Sequence, residues 1–467
     1  MDAKAAFLAH ARGRIPPRMA ARLLELFALA VALYGATRFL AVALPKYLPK
    51  DWAAAHDFDA IIDWKGARLF LNGESPFSPE GLAELNVQQF GHPPSAPFWF
   101  IPLGVFEKPL AAELMSLSVC VCLVVHIWLC AKELRFPFPV ALTILLSAAL
   151  IATDVMLIHF VYIQLSEYIA LAYVIGWLRL RRGQDFSGGM AVGVGITFKL
   201  FPGLVALLFL VGRKWKAFAG ACTMFLGVSA VMATTFGVRA WPLFFKMQND
   251  VLAFWLGHVR NASLQGIVHR LFAPICLGHV PPNKIAIRTA AALGFLLVAT
   301  GFFLSWPDLK RARKEDPRAI DMPFALFSAL SAFLTAWVWE HYAVILILPA
   351  FLVFSQLFAS FWATLRAFLD ERTSLRKLAL EALSFGIGFA GLAVCGKAIS
   401  LNAAGAEAFL DLWGTRKDAT VHRLLHYYEV GKYLPWLVMI ALCYFCLIRA
   451  RLAERAERRA RIATAPT

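Results

Sequence analysis

Runs of apolar residues as long as a bilayer is thick recur throughout this chain, and no other feature narrows its fold so far. A helix needs about 20 residues to cross the hydrocarbon core. Inside that core every backbone N–H and C=O must be bonded within the chain, which leaves only helices and closed barrels. The runs are far too long for barrel strands. Candidate spans are 20–44, 110–131, 138–153, 161–178, 216–236, 286–306, 322–338, 341–358, 380–400 and 433–449. Between the fourth and fifth, two half-length pieces, 188–198 and 202–211, break at Phe201-Pro202 and are predicted to enter and return as a shallow hairpin. The expectation is an all-α polytopic membrane protein, a single membrane domain over 1–467 with about twelve membrane segments. Composition agrees. Of the 467 residues 60% are apolar and 16% charged, where a soluble domain carries about a quarter charged.

The net charge of +16 would suit a nucleic-acid binder, but the cations follow the membrane instead. With the N-terminus on the inner side, the inner loops hold Arg12, Arg14, Arg18 and Arg22, then Arg179, Arg181 and Arg182, then Arg213, Lys214 and Lys216. They also hold Lys310, Arg311, Arg313 and Lys314, and the basic tail 450–467. This asymmetry orients polytopic proteins. It predicts both termini in the cytoplasm, a plasma membrane such as the bacterial inner membrane, and no nucleic-acid partner. The first apolar run is long enough to span and is followed by no small-residue cleavage site, so it reads as a span rather than a signal peptide.

Eight cysteines carry little message. Seven sit in apolar runs and Cys276 in an outer segment. Cys443 and Cys446 have CxxC spacing but lie within a span with no second pair, so all read as packing residues. No nucleotide-binding glycine loop and no HExxH is present.

Three outer segments interrupt the spans, 45–109, 237–285 and 401–432. The first is the richest. Asp57, Asp59 and Asp63 lie just outside the bilayer, and a carboxylate there is well placed to take a proton at the membrane surface. A helix is predicted from Ala60 to Leu71, stopped by Asn72-Gly73. It is expected to lie along the membrane surface with Trp64 and Phe70 facing lipid. Asp59 would also serve as its N-cap. The segment closes with His92-Pro93-Pro94, whose prolines favour extended backbone.

These residues resemble glycosyltransferase family 87, of the GT-C superfamily of polyprenyl-phosphate-sugar-dependent transferases. Asp59, Trp64, Ala67, Leu71-Asn72-Gly73 and Pro76-Phe77 look like its first outer loop. His92-Pro93-Pro94 through Ile101-Pro102-Leu103, Ile163-Gln164-Leu165-Ser166, Phe198-Lys199-Leu200-Phe201-Pro202, Asn261-Ala262-Ser263-Leu264 and Trp339-Glu340-His341-Tyr342 follow in the family's order. Two departures stand out. The family's glycine before glutamine is Ile163 here, and its Lys-Pro is spread over Lys199 to Pro202.

The resemblance implies a GT-C-like bundle and transfer of a sugar, mannose or another hexose, from a polyprenyl-phosphate donor to a hydroxyl of a glycolipid, glycan or protein acceptor on the extracytoplasmic side. It implies an inverting single displacement with Asp59 as base. Among the three aspartates, Asp59 alone keeps the family spacing to Trp64 and Ala67. Such transfer needs a base for the acceptor proton and a cation or donor array for the departing phosphate. His341, Lys199, Arg260, Asn261, Gln164 and Glu340 are the candidates for phosphate or substrate contact. Each has a plainer alternative: packing for His341, snorkelling for Lys199, a solvated loop charge for Arg260, and mutual hydrogen bonding of Gln164 with Glu167. Asp57 and Asp59 offer two oxygens to a divalent ion, but neighbouring loop acids are commoner than metal sites, so no metal and no cofactor are expected. A transporter or lipid flippase would explain the hairpin and a buried lysine, but not a motif-bearing outer helix. A noncatalytic protein of envelope polysaccharide assembly is a third reading.

Overall fold

The structure is a computed structural model describing residues 17–47, 59–77, 92–153, 156, 163–256, 261–272, 283–370, 372–413 and 419–463. Within these, the side chains of Asp59, Ala60, Glu340 and residues 395–432, among others, lie outside what is described. Arg260, Asp57 and Cys276 lie outside the described residues altogether.

All regular structure among the described residues is helical. In order the α-helices are α1 (Pro17–Tyr47), α2 (Asp59–Leu71), α3 (Lys108–Glu133), α4 (Pro139–Ile151), α5 (Ser166–Arg181), α6 (Asp185–Phe198), α7 (Gly203–Val211) and α8 (Trp215–Phe236). There follow α9 (Ala240–Trp255), α10 (Leu264–Phe272), α11 (Lys284–Lys314), α12 (Asp321–Phe333), α13 (Ile347–Leu369), α14 (Leu375–Trp413) and α15 (Ala419–Ala463). Short 3-10 helices form at Ala96–Leu103, Pro317–Ile320 and Glu340–Leu346.

Every predicted span overlaps a helix, but the count of about twelve membrane segments is not reached among the described residues. Six helical stretches are long and apolar enough to cross a membrane: 108–133, 215–236, 284–314, 341–369, 375–394 and 433–459. Helices α4, α5, α6, α7 and α12 have 13, 16, 14, 9 and 13 residues and are shorter than a bilayer crossing. The long helices expose large apolar side chains outward, among them Phe295, Phe303 and Leu383, as lipid-facing surfaces do.

The hairpin expected at 188–211 closes. Lys214, after α7, donates to Asp185 at the start of α6 at 2.8 Å, so the chain returns to the end it left. The turn lies at Lys199, whose backbone is extended (φ −151°, ψ 145°), and Pro202, which caps α7. Helix α6 is packed tightly between α5 and α8. A Cβ at Gly189 would lie 1.8 Å from Ala217 O, and one at Gly220 would lie 2.1 Å from Phe186 O. The glycines let the two backbones touch, as small residues do between membrane helices.

Ion pairs gather at the end of the bundle where Asp185 and Lys214 meet. Arg181 reaches Glu133 at 3.5 Å and Asp321 at 3.4 Å, Arg182 reaches Glu133 at 2.6 Å, and Arg451 pairs with Asp308. The motifs of the segments expected to lie outside gather at the other end.

Two expectations are corrected. Helix α2 does not present Trp64 and Phe70 to lipid. Trp64 is 7% exposed and its indole N–H donates to Leu103 O at 3.1 Å. Phe70 packs edge-on against Phe236, ring centroids 5.8 Å apart. The helix is clamped onto the 3-10 helix Ala96–Leu103 because Gly66 leaves room for Pro97, which a Cβ would meet at 2.8 Å. Nor does Gln164 share a span with Glu167. Helix α5 begins at Ser166, after a turn with Ile163 at φ +48°. Glu167 instead bonds His126 of α3 at 3.1 Å.

Candidate active site

The site begins with α2. Asp59 is its first residue and Asp63 stands one turn later. The helix stops as the Asn72-Gly73 signal predicts. Gly73 has φ +77°, Gly73 N–H donates to Phe70 O and Glu74 N–H to Leu69 O, the left-handed cap that glycine favours. Asp63 is 1% exposed, and its Oδ2 lies 2.7 Å from His92 Nδ1. This pair locks the helix register to the His92-Pro93-Pro94 turn.

The same turn is tied to the hairpin. Ser95 Oγ donates to Thr197 O at 2.9 Å, and Trp99 Nε1 donates to Thr197 Oγ1 at 2.7 Å. Tyr168, just after the Gln164 segment, stacks on Phe198 at 5.5 Å. The next residue is Lys199, only 9% exposed. Its Nζ donates to Tyr342 Oη and lies 4.6 Å from the centroid of that ring. His341, 4% exposed, packs edge-on against Tyr342 at 4.8 Å.

Lys199 and Tyr342 form one wall of a cavity of about 220 Å³. Pro93 closes it from the His92-Pro93-Pro94 turn, Phe244, Gln248 and Asn249 from α9, and Thr335 and Trp337 from the irregular passage into the Trp339-Tyr342 segment. The lysine brings a positive charge to a largely apolar recess. No carboxylate pairs with it among the described residues, and its bonded partner is a neutral phenol.

Asn261 is not on the cavity wall. It is 2% exposed. Its Nδ2 donates to Ala336 O at 2.9 Å and to Trp255 O and Leu256 O at 3.3 Å. Its Oδ1 accepts from the backbone N–H groups of Ser263 and Val338, both at 3.0 Å. Ala262 N–H donates to Val338 O at 2.7 Å and Ser263 Oγ to Ala336 O at 3.1 Å. The Asn-Ala-Ser segment therefore stitches the passage 336–338 in place, and with it His341 and Tyr342. Gly266 is required here, since a Cβ would come within 2.6 Å of Asn261 Cγ.

The structure thus brings Lys199, Tyr342 and the turn that holds α2 to one cavity, and sets His341 against Tyr342. It keeps Asn261 behind them as a brace, with Gln164 buried in the turn before α5. Arg260 lies outside the described residues, as do the side chains of Asp59 and Glu340. Sequence reasoning missed the Asp63–His92 pair and the Lys199–Tyr342 contact. The signal for the first was present, an acid one turn after Asp59 and a histidine opening a conspicuous Pro-Pro turn. No local signal marks the second, because its partners are 143 residues apart.

A family model described as glycosyltransferase family 87 matches residues 90–330, just over half the chain. That stretch takes in the Pro-Pro turn, the hairpin and the Asn-Ala-Ser segment, and leaves out α2 and Trp339-Tyr342. No curated protein and no solved structure matches the chain.

Proposed function

The chain belongs to glycosyltransferase family 87 and is a membrane glycosyltransferase, and we propose that it draws its sugar from a polyprenyl-phosphate donor at the outer end of the bundle. The observation that carries this reading is Lys199. A cation buried in an apolar segment without a carboxylate partner is costly. Here it lines a cavity, and the phosphate of a lipid-linked donor supplies the counter-charge. Tyr342 stands beside it to bond the phosphate oxygens, and His341 packs against Tyr342.

In this reading Asp59 is the base. Its helix is registered by Asp63–His92, by Trp64 on Leu103 and by Gly66 on Pro97, and Pro93 of the same turn is part of the cavity wall. The acceptor hydroxyl gives its proton to the Asp59 carboxylate while its oxygen attacks the anomeric carbon. The bond from that carbon to the phosphate oxygen breaks, its electron pair leaving with the phosphate toward Lys199. One displacement inverts the configuration. The sugar is mannose or another hexose, the acceptor a glycolipid or glycan, and both termini are cytoplasmic. Asn261 acts through the 336–338 passage as a positioning residue.

The test offers purified protein polyprenyl-phosphate-mannose with a glycolipid acceptor and measures release of polyprenyl phosphate. Turnover by the native chain is expected. Asp59→Asn should lower kcat by roughly 100- to 10,000-fold, and Lys199→Gln should weaken donor use by about 10- to 100-fold, chiefly in KM. Use of a nucleotide sugar in place of the lipid-linked donor would overturn the reading. So would uptake into vesicles without bond cleavage, which is the behaviour of a transporter.

A further inference from the structure

At the opposite end of the bundle lies a second recess, of about 470 Å³, which plays no part in the site above. Five cations from three separated stretches of chain converge on it. Lys132 and Arg135 lie at the end of α3, Arg181 and Arg182 at the end of α5, and Arg318 on the 3-10 helix before α12. Two carboxylates face them. Glu133 is shared by Arg181 and Arg182, and Asp321 is held by Arg181 and by the indole N–H of Trp177 at 2.8 Å. Asp316 adds a third carboxylate nearby, accepting from the Arg318 backbone N–H at 3.0 Å, so the balance is an excess of two positive charges. The side chains of Lys132, Arg135 and Arg318 have no carboxylate partner among the described residues. The carbonyl ends of α3 and α5 offset part of this field, but they do not fill a concave space.

The other walls are apolar, formed by Leu129, Leu134 and Leu178. Lys132 Nζ lies 4.5 Å from the centroid of the Trp128 ring, and that ring is 36% exposed on the outside of the bundle. An indole half in the bilayer with a cation beside it marks the depth of the headgroups. A free anion would use only the charged half of this recess. A ligand with a phosphate and acyl chains would use both halves, and basic recesses between membrane helices at this depth take such headgroups.

The geometry points to a binding site for the headgroup of an anionic phospholipid, formed by Lys132, Arg135 and Arg318 around the Arg181–Glu133–Arg182 cluster. The lipid joins the ends of α3, α5 and α12, and so stabilises the bundle from the leaflet opposite the candidate active site.

The experiment places purified protein in phosphatidylcholine nanodiscs, with added phosphatidylglycerol in one arm and inorganic phosphate in another. It reads the melting temperature, and native mass spectrometry of the detergent-released protein reads retained lipid. Phosphatidylglycerol should raise the melting temperature and remain bound, while phosphate alone does neither. The triple variant Lys132→Ala, Arg135→Ala, Arg318→Ala breaks no described ion pair and should bind the lipid on the order of 100-fold more weakly. The single variant Arg318→Glu gives the same direction should the triple variant not fold. A control, Arg455→Ala, Arg458→Ala, Arg459→Ala, removes equal charge from α15 and should keep the response. The proposal is overturned if the triple variant responds like the native chain, if the control loses as much, or if phosphate alone reproduces the shift.

Discussion

At the scale of single residues, Ile163 joins a sequence anomaly to a conformation. Where the family resembled in the sequence carries glycine, this chain has isoleucine, and the structure puts that residue at φ +48°. A β-branched side chain in the left-handed region is strained, by roughly 1–2 kcal/mol. Ile163 is also 2% exposed, so its side chain contributes burial in return. Ile163→Gly loses the burial but relieves the backbone, whereas Ile163→Ala loses burial and keeps the strain. The glycine variant should therefore be the more stable of the two by about 1 kcal/mol, as read from paired thermal melts; an alanine variant melting higher would contradict the assignment. His269 is 1% exposed, and neither ring nitrogen has a hydrogen-bond partner among the described residues. Burial, and after it the neighbouring Arg270 cation, hold its pKa below the usual 6.5. The unfolded chain takes the proton first as pH falls, so this residue's contribution is complete above about 6.5 and is lost progressively below it. Melting temperature should drop on acidification from pH 7 to pH 5, and His269→Leu should flatten part of that slope.

At the scale of elements, two close approaches decide what is held. The first is the α6–α8 contact. Its glycines were visible in the sequence as Gly189, Gly193 and Gly220, but the residues they face were not. With Ala217 O 1.8 Å from a Cβ on Gly189, Gly189→Val must push the backbones apart, at a cost of roughly 3 kcal/mol or more. Loss of the folded fraction on size-exclusion chromatography checks it, and a fully stable valine variant would rule out the packing. The second is the brace at Asn261. Its amide bonds five backbone groups, and several of these would be left buried and unpaired in Asn261→Ala. A loss of about 3 kcal/mol is expected, with donor KM rising because the 336–338 passage no longer seats His341 and Tyr342. Tight donor binding retained in a destabilised variant would separate the brace from the site.

At the scale of the whole molecule, the chain has two chemically different ends. Ion-paired basic turns collect at one and the cavity with its buried lysine at the other, and the Asp185–Lys214 pair shows that the hairpin starts and finishes at the basic end. If that end is cytoplasmic, Glu74→Cys should react with an impermeant thiol reagent added outside intact cells, and Arg213→Cys only after permeabilisation, on a background with the native cysteines replaced. The reverse pattern would invert the orientation and remove the donor from the proposed site. The long apolar helices, the break at Phe201-Pro202 and the stop at Gly73 were legible in the amino-acid sequence, because hydrocarbon forces every buried backbone group into local hydrogen bonds and proline and glycine interrupt those bonds where they stand, whereas α9 and α10, in a segment without a span-length apolar run, were not. Which face α2 buries was not legible. Its apolar side chains suit lipid and protein equally, and only Pro97, Leu103 and Phe236 arriving from elsewhere in the chain settle the choice. The same holds for Lys199. Its charge in an apolar stretch announced that it must be compensated, but Tyr342 and the cavity beside it come from contacts that chain folding alone creates.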